Sequence, residues 1–266
     1  MGKIKFSLFA CFLATMIACS TVPLTGRKQF SLVGDSEINT SAAQSYKQLL
    51  SDPKTTVITS TRDAESVRRV GNKLSIAIEN YLKQNGYGDQ YSFNWEFNLI
   101  QSKEVNAWCM PGGKVAVYSG ILPITMDDAG LATVMGHEIG HAIARHSAER
   151  ISQQMAAQFG GAVVGAAASD KSQTTQSVVN ELYGVGGQLV LLKYSRNQES
   201  EADRLGLIFM SMAGYDPNNA VAFWQRMAAQ NKGGAPPEFL STHPADATRI
   251  QAIKNNIPEA MKYYHH

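Results

Sequence analysis

His137, Glu138 and His141 lie in "VMGHEIGHAIARH", the stretch from Val134 to His146, which holds three of the chain's six histidines. Four residues of helix turn through about 400°, so His137 and His141 share a face one turn apart. From there both imidazoles reach a single ion at about 2.0–2.1 Å, the zinc–nitrogen distance. Glu138, one step round, is close enough to face a water at that ion without ligating it. A catalytic zinc site takes three protein ligands and keeps a fourth position open. "SRNQESEADRLG" offers the third, because Glu199 and Asp203 also stand four apart and share a helix face. Glu199 could complete the shell, and Asp203 could accept from the free nitrogen of His137 to fix its tautomer.

Each motif has a plainer reading. The histidines can be half-exposed on a surface helix, and the acids can belong to a solvated helix paired with Arg196 and Arg204. Gly136 and Gly140 weigh against the first, since they clear space around the histidine face at a cost in helix stability. The two motifs also complete each other, because a histidine pair lacks the acid that the second motif supplies.

The elements that must hold these residues are mostly helices. A helix is expected around Ser36–Leu50. Val67, Val70, Leu74, Ile78 and Tyr81 recur at helical spacing in an amphipathic helix that ends near "QNGYG". "FNWEFNL" alternates as a half-buried strand, with Phe93, Trp95, Phe97 and Leu99 on one face. Further strands run through "VNAW" and "KVAVYSG", joined by a Pro111-Gly112-Gly113 turn. The motif helix starts after Thr125 as its cap, with Leu131, Met135, Ile139 and Ala142 as its apolar stripe. A long helix runs from "LLKYSRNQES" to Gly214, Asp216-Pro217 caps another, and His243-Pro244 opens the last. The order predicts an α+β fold, mostly helical, with a small sheet beside the motif helix.

Lys3 and Lys5 precede an apolar run from Phe6 to Ala18, which suits an export signal and is short for a spanning anchor. Ala18-Cys19 resembles a lipoprotein cleavage box, with Met16 where leucine is usual. The expected organisation is a signal peptide over 1–18, a tether with one helix over 19–61, and a metal-binding domain over 62–266. Without Lys3 and Lys5, lysine plus arginine falls from 24 to 22 against 22 acids, so no basic field suggests nucleic acid. Cys11 leaves with the signal and Cys19 carries lipid, which leaves Cys109 without a disulfide partner and reads as a small buried hydrophobe. Met155–Ala168 is too short to span and contains Gln158; it reads as core or as a flap over a cleft.

"VNAWCMPGGKVAVYSGIL", "GHEIGHAIARH", "YSRNQESEADRLG" and "STHPADATRI" together resemble the gluzincin metallopeptidases of the HtpX and CAAX prenyl protease family, in particular the exported bacterial lipoprotein branch of BepA and LoiP. The resemblance implies a zincin-type domain holding one zinc on His137, His141 and Glu199, with Glu138 as catalytic base. Glu201 is a rival third ligand, but its distance from Asp203 does not fit the family's E-x-x-x-D. The strand with Asn106 and Ala107 would edge the cleft and take substrate as an added strand, or merely support the helix. His243 would occupy the fourth zinc position at rest, donate to the oxyanion, or simply sit exposed beside Pro244.

By this resemblance the chain is a membrane-anchored zinc endopeptidase acting on misfolded envelope proteins. Its expected place is the periplasm or envelope, tied to a bilayer through Cys19, the outer membrane before the inner. Two alternatives are a chaperone-like or assembly lipoprotein with vestigial peptidase activity, and a structural zinc module. Intact Glu138 argues against the first. The shortage of cysteine argues against the second.

Overall fold

The computed structural model describes residues 19–159, 194–230 and 237–264. A hairpin of β1 (Cys19–Thr21) and β2 (Lys28–Phe30) comes first, with Thr21 opposite Lys28. It is followed by α1 (Asp35–Ser51) and α2 (Arg62–Gln84). Thr61 caps α2 by accepting from the Ala64 N–H at 3.2 Å. Val67, Val70, Leu74 and Ile78 form its buried stripe, as their spacing predicts.

β3 (Val57–Ile58), β4 (Glu96–Ile100), β5 (Ala107–Met110) and β6 (Lys114–Tyr118) make a mixed sheet in the order β3-β4-β6-β5. β4 and β6 run parallel, and the other two pairings are antiparallel. The β5–β6 turn needs φ of +77° at Gly112 and +85° at Gly113, which glycine adopts without a Cβ penalty. The paired part of β4 starts only at Glu96, three residues later than the alternation suggests. Phe93, Trp95 and Phe97 nevertheless share a face, with ring centroids 4.5 and 5.9 Å apart along the row. Among the described residues β5 is an open edge, and the motif helix packs against it.

After the short α3 (Leu122–Thr125) comes the motif helix α4 (Asp128–Ile143). Asp127, not Thr125, caps it by accepting from the Gly130 N–H at 2.8 Å. Thr125 still belongs to α3, where its hydroxyl donates to the Leu122 carbonyl. Met126, at φ of 69°, breaks the two helices apart. One apolar stripe understates α4, which is buried on almost every side between the sheet, α2, α6 (Arg196–Met212) and α7 (Asn219–Ala229). α5 (His146–Phe159) follows α4. α6 starts at a Ser195–Gln198 capping box. The chain closes with α8 (Glu238–Thr242) and α9 (Ala247–Ala260), the latter capped by Asp246 rather than by His243-Pro244. The architecture is the expected α+β, mostly helical, with its small sheet beside the motif helix.

Two expectations need correction. The glycines of α4 do not clear room for an ion; they admit α6. A Cβ on Gly136 would stand 3.0 Å from the Gly206 carbonyl oxygen, and one on Gly140 2.9 Å from that of Ala202. From the other side, a Cβ on Gly206 would meet His137 N at 2.8 Å. The stretch after Cys19 is not a tether either. Val22 is buried in the main core, and the Leu32 N–H donates to Ser152 Oγ at 2.8 Å. It buries apolar residues singly, so no periodic pattern announces it. No helix among the described residues is long and apolar enough to cross a membrane. Most of Met155–Ala168, including any flap, lies outside the described residues.

Gly206→Val should therefore destabilise the fold by about 2–3 kcal/mol, the upper range for overpacking, because its neighbours are backbone atoms that cannot rotate away. Urea unfolding of the metal-free protein checks this. The midpoint should fall at unchanged slope, and an unmoved midpoint would show that the helices do not need this contact.

Candidate metal centre

Because α4 and α6 touch backbone to backbone, their two i, i+4 pairs interlock. α4 supplies His137, Glu138 and His141; α6 supplies Glu199 and Asp203; His243 enters from the end of α8. All six are between 2% and 7% exposed. Single donor atoms of His137, His141, Glu199 and His243 all lie within 4.8 Å of one another. His137 Nε2 stands 3.2 Å from His141 Nε2 and 3.2 Å from His243 Nδ1. Glu199 Oε1 stands 3.4 Å from His141 Nε2, and Oε2 3.6 Å from His137 Nε2.

These spacings test the fit of a zinc ion. Two nitrogens about 2.0–2.1 Å from a tetrahedral ion are about 3.3–3.4 Å apart. The ring protons agree. His137 Nδ1 donates to Asp203 Oδ1 at 2.9 Å, which leaves Nε2 as a lone pair facing the cluster. His141 turns Nδ1 outward to His146 Nδ1 at 2.8 Å, and so aims Nε2 inward. Two lone pairs 3.2 Å apart repel unless a cation lies between them. The residues fit zinc.

Burial sets the proton affinities. It pushes Glu138 up, helped by the Glu199 charge and opposed by His243 and His137. It lowers His141 well below its usual range, which favours the neutral, ligating imidazole. Burial alone would raise Glu199 and Asp203. His243 and His141 outweigh it at Glu199, and Arg249 and His137 outweigh it at Asp203, so both stay ionised. Burial would lower His243, but Glu138 and Glu199 reverse the shift and raise it. Glu138 Oε1 is buried without a hydrogen-bond partner, 3.7 Å from His243 Nε2 and 3.9 Å from His137 Nε2.

Three contributors carry no assignment from the sequence. Arg249 makes a two-point contact with Asp203 at 2.8 and 2.9 Å, reaches Glu199 Oε2 at 3.1 Å, and lies 3.6 Å over the Trp224 ring. Its signal was an arginine four residues before Ile253, on the buried face of α9. His146, the third histidine of the opening stretch, bridges His141 and Glu201. Tyr194 stacks on His141 with centroids 4.0 Å apart. Glu201 lies outside the cluster, and Arg204 pairs with Glu259 instead of covering the acids. Cys109 is buried, and burial pushes its thiol well up.

Asn106 stands just ahead of β5, its Oδ1 accepting from the Ala107 N–H at 2.9 Å. The Tyr118 N–H donates to the Asn106 carbonyl at 3.0 Å, which sets the phase of the ladder. Trp108 and Met110 thus face β6, and Ala107 and Cys109 turn their backbone groups to the open edge. The Phe239 N–H donates to the Val105 carbonyl at 3.2 Å and ties the start of α8 to this edge.

A histidine pair around a glutamate on one buried helix, facing an acid from a second, defines a metallopeptidase site of the zincin kind. Residues 64–257 match the model of Peptidase family M48, and the chain belongs to that family. Family and donor set together place it among zinc metallopeptidases. The mitochondrial metalloendopeptidase OMA1 of Schizosaccharomyces pombe is 34% identical over 241 residues, covering 90% of this chain and 67% of the relative. The human mitochondrial metalloendopeptidase OMA1 is 30% identical over 275 residues, 98% of this chain and 50% of the relative. The beta-barrel assembly-enhancing protease of Escherichia coli is 31% identical over 170 residues, 60% of this chain and 34% of the relative. The chain thus spans from about two thirds down to a third of these relatives' lengths.

The family-level resemblance stands, but the lipoprotein branch is not singled out. The expected periplasmic or outer-membrane location is overturned, because the relatives matched over most of the chain are named as mitochondrial. Two lysines before a short apolar run resemble several targeting segments, and the receptor that reads them sets the address. Bilayer attachment through Cys19, read from the lipoprotein cleavage box that Ala18-Cys19 resembles, is not shown by these relatives.

Asp203→Asn should weaken zinc binding by about 10–100-fold, the usual effect of a residue behind the ligands. The amide keeps the shape but loses the charge that pairs with Arg249 and holds His137. Competition against a chelator measures it, and wild-type affinity would refute the orienting role.

Proposed function

We propose that the chain is a zinc-dependent endopeptidase with His137, His141 and Glu199 as metal ligands and Glu138 as general base. The observation that carries this is the Glu138 carboxylate, buried beside the donor cluster with Oε1 unpartnered. A structural zinc site has no use for such a group. When bound, zinc supplies the Lewis acidity that makes a water nucleophilic and a scissile carbonyl electrophilic. Glu138 takes the proton from the attacking water and passes it to the leaving amine, and its raised proton affinity suits both transfers. Asp203 and Arg249 keep His137 in one tautomer and orientation. Trp224 under Arg249 and Tyr194 over His141 exclude solvent from the ligand rings.

The edge strand supports a reading of the substrate class. Ala107 and Cys109 offer backbone groups that pair only with an extended segment. Misfolded or misassembled protein meets that demand, and a closed native fold does not. Asn106, by holding the Ala107 N–H, would set where pairing starts. A chaperone-like role with vestigial cleavage would leave the buried Glu138 without a purpose.

Four protein donors favour a second statement about the same site. His243 Nδ1, 2.8 Å from Glu199 Oε1, stands where a fourth ligand would close the shell at rest. His243→Ala should then raise basal cleavage of unfolded casein and self-cleavage. A fall of about 10²–10³-fold with zinc retained would make His243 an oxyanion donor instead.

Glu138→Gln tests the main reading. It keeps size and hydrogen bonding but cannot accept a proton, so casein cleavage should fall by at least about 10²–10⁴-fold, with zinc still near one per chain. Wild-type cleavage by this variant would sink the mechanism.

A further inference from the structure

His141 is ordered from outside the cluster by a chain of contacts that ends on the N-terminal hairpin. Its Nδ1 meets His146 Nδ1 at 2.8 Å, and the fully buried His146 donates from Nε2 to Glu201 Oε2 at 2.9 Å. Glu201 is held in turn by residues more than 170 positions away. Arg27 Nε donates to Oε2 at 2.6 Å, and the Thr25 hydroxyl donates to Oε1. The other Arg27 nitrogens are also engaged, Nη1 by Glu149 Oε1 at 3.0 Å and Nη2 by Gln29 Oε1 at 3.1 Å. Gln198, the residue before Glu199, donates to the second Glu149 oxygen at 2.9 Å. Arg27 therefore braces both α5 and the first turn of α6.

Position along this chain decides which nitrogen of His141 faces inward. A neutral imidazole has one N–H and one acceptor nitrogen. A fixed Glu201 carboxylate accepts only, so His146 keeps its proton on Nε2 and accepts at Nδ1. His141 then carries its proton on Nδ1 and offers the Nε2 lone pair to the ion. If Glu201 swings away, His146 can donate from Nδ1 instead, and His141 would present an N–H where the ion requires a lone pair.

We infer that Arg27 is a positioning residue for the zinc site, acting through Glu201 and His146 on His141; the inference rests on the reading of His141 as a ligand. An isolated surface ion pair would contribute little. This one differs because Glu201 is almost fully buried and Arg27 is the only arginine or lysine ion-paired with it among the described residues. The effect should be largest on how long zinc stays bound.

The experiment follows zinc release from the full chain into excess chelator, alongside melting of the zinc-bound and zinc-free forms. Arg27→Ala should release zinc about 10-fold faster, the low end for residues behind a ligand. Arg27→Lys still gives Glu201 an N–H donor and should recover most of the lifetime. Val22→Ala loosens the same hairpin without touching Glu201, so it should lower the melting temperature and leave the release rate unchanged. Wild-type release from Arg27→Ala overturns the inference, and so does release from Val22→Ala as fast as from Arg27→Ala. If Arg27→Ala does not fold, Glu201→Ala interrupts the same route at the carboxylate that Arg27 holds, and unchanged release in that variant is equally fatal. His141→Ala separates the two levels. If it retains zinc at wild-type affinity, the ligand reading itself is wrong; if it loses zinc while Arg27→Ala does not, only the role of Arg27 fails.

Discussion

Everything at the centre depends on α4 and α6 meeting backbone to backbone. Two histidines four apart can share an ion with an acid only if the acid's helix comes close enough for side chains of unequal length to converge. Gly136 and Gly140 on one helix and Gly206 on the other lack the Cβ atoms that would hold the axes apart. Glycine lowers helix propensity by about 1 kcal/mol per residue. Burial of α4 against the sheet and α2 offsets that loss, which is why so poor a helix former can sit at the middle of the core.

The same closeness concentrates charge in a dry place. Glu138, Glu199 and Asp203 are all buried, and ionised carboxylates there are costly unless paired. Asp203 is answered twice, by His137 and by the Arg249 fork, and the guanidinium is itself sandwiched against Trp224. Glu199 shares its oxygens between imidazoles and Arg249. Glu138 Oε1 makes no hydrogen bond, a cost the fold bears at the carboxylate whose proposed work is to accept a proton.

How much of this was readable depended on the range of each interaction. The histidine pair and the Glu199–Asp203 pair were legible because helical periodicity converts a spacing of four into a shared face. The α2 stripe was legible for the same reason, and the β4 alternation for its period of two. Arg249, His146 and Arg27 were not. Each works through partners brought together only by folding, and Arg27 lies in a stretch too short to show any period. The α4 glycines misled for a related reason: one helix's sequence shows that a Cβ is missing, not which neighbour fills the space. The address of the chain failed differently. A short apolar run behind two lysines resembles targeting signals, which are addresses read by receptors, and its physics alone names no destination.

The two inward nitrogens are therefore set by independent routes. His137 is fixed from the C-terminal side, through Asp203 to Arg249 on α9. His141 is fixed from the N-terminal side, through His146 and Glu201 to Arg27 on the first hairpin. Neither route borrows a residue from the other, although both cross α6, at Glu201 and Asp203, two positions apart. The geometry of the proposed ligands thus depends on both ends of the described chain being docked on the same helix. A partly folded chain can form α4 with its histidines on one face and still fail to order their tautomers. The complete donor set is a property of the finished fold, not of the motif, and that distinguishes a working site here from a chance His-Glu-x-x-His.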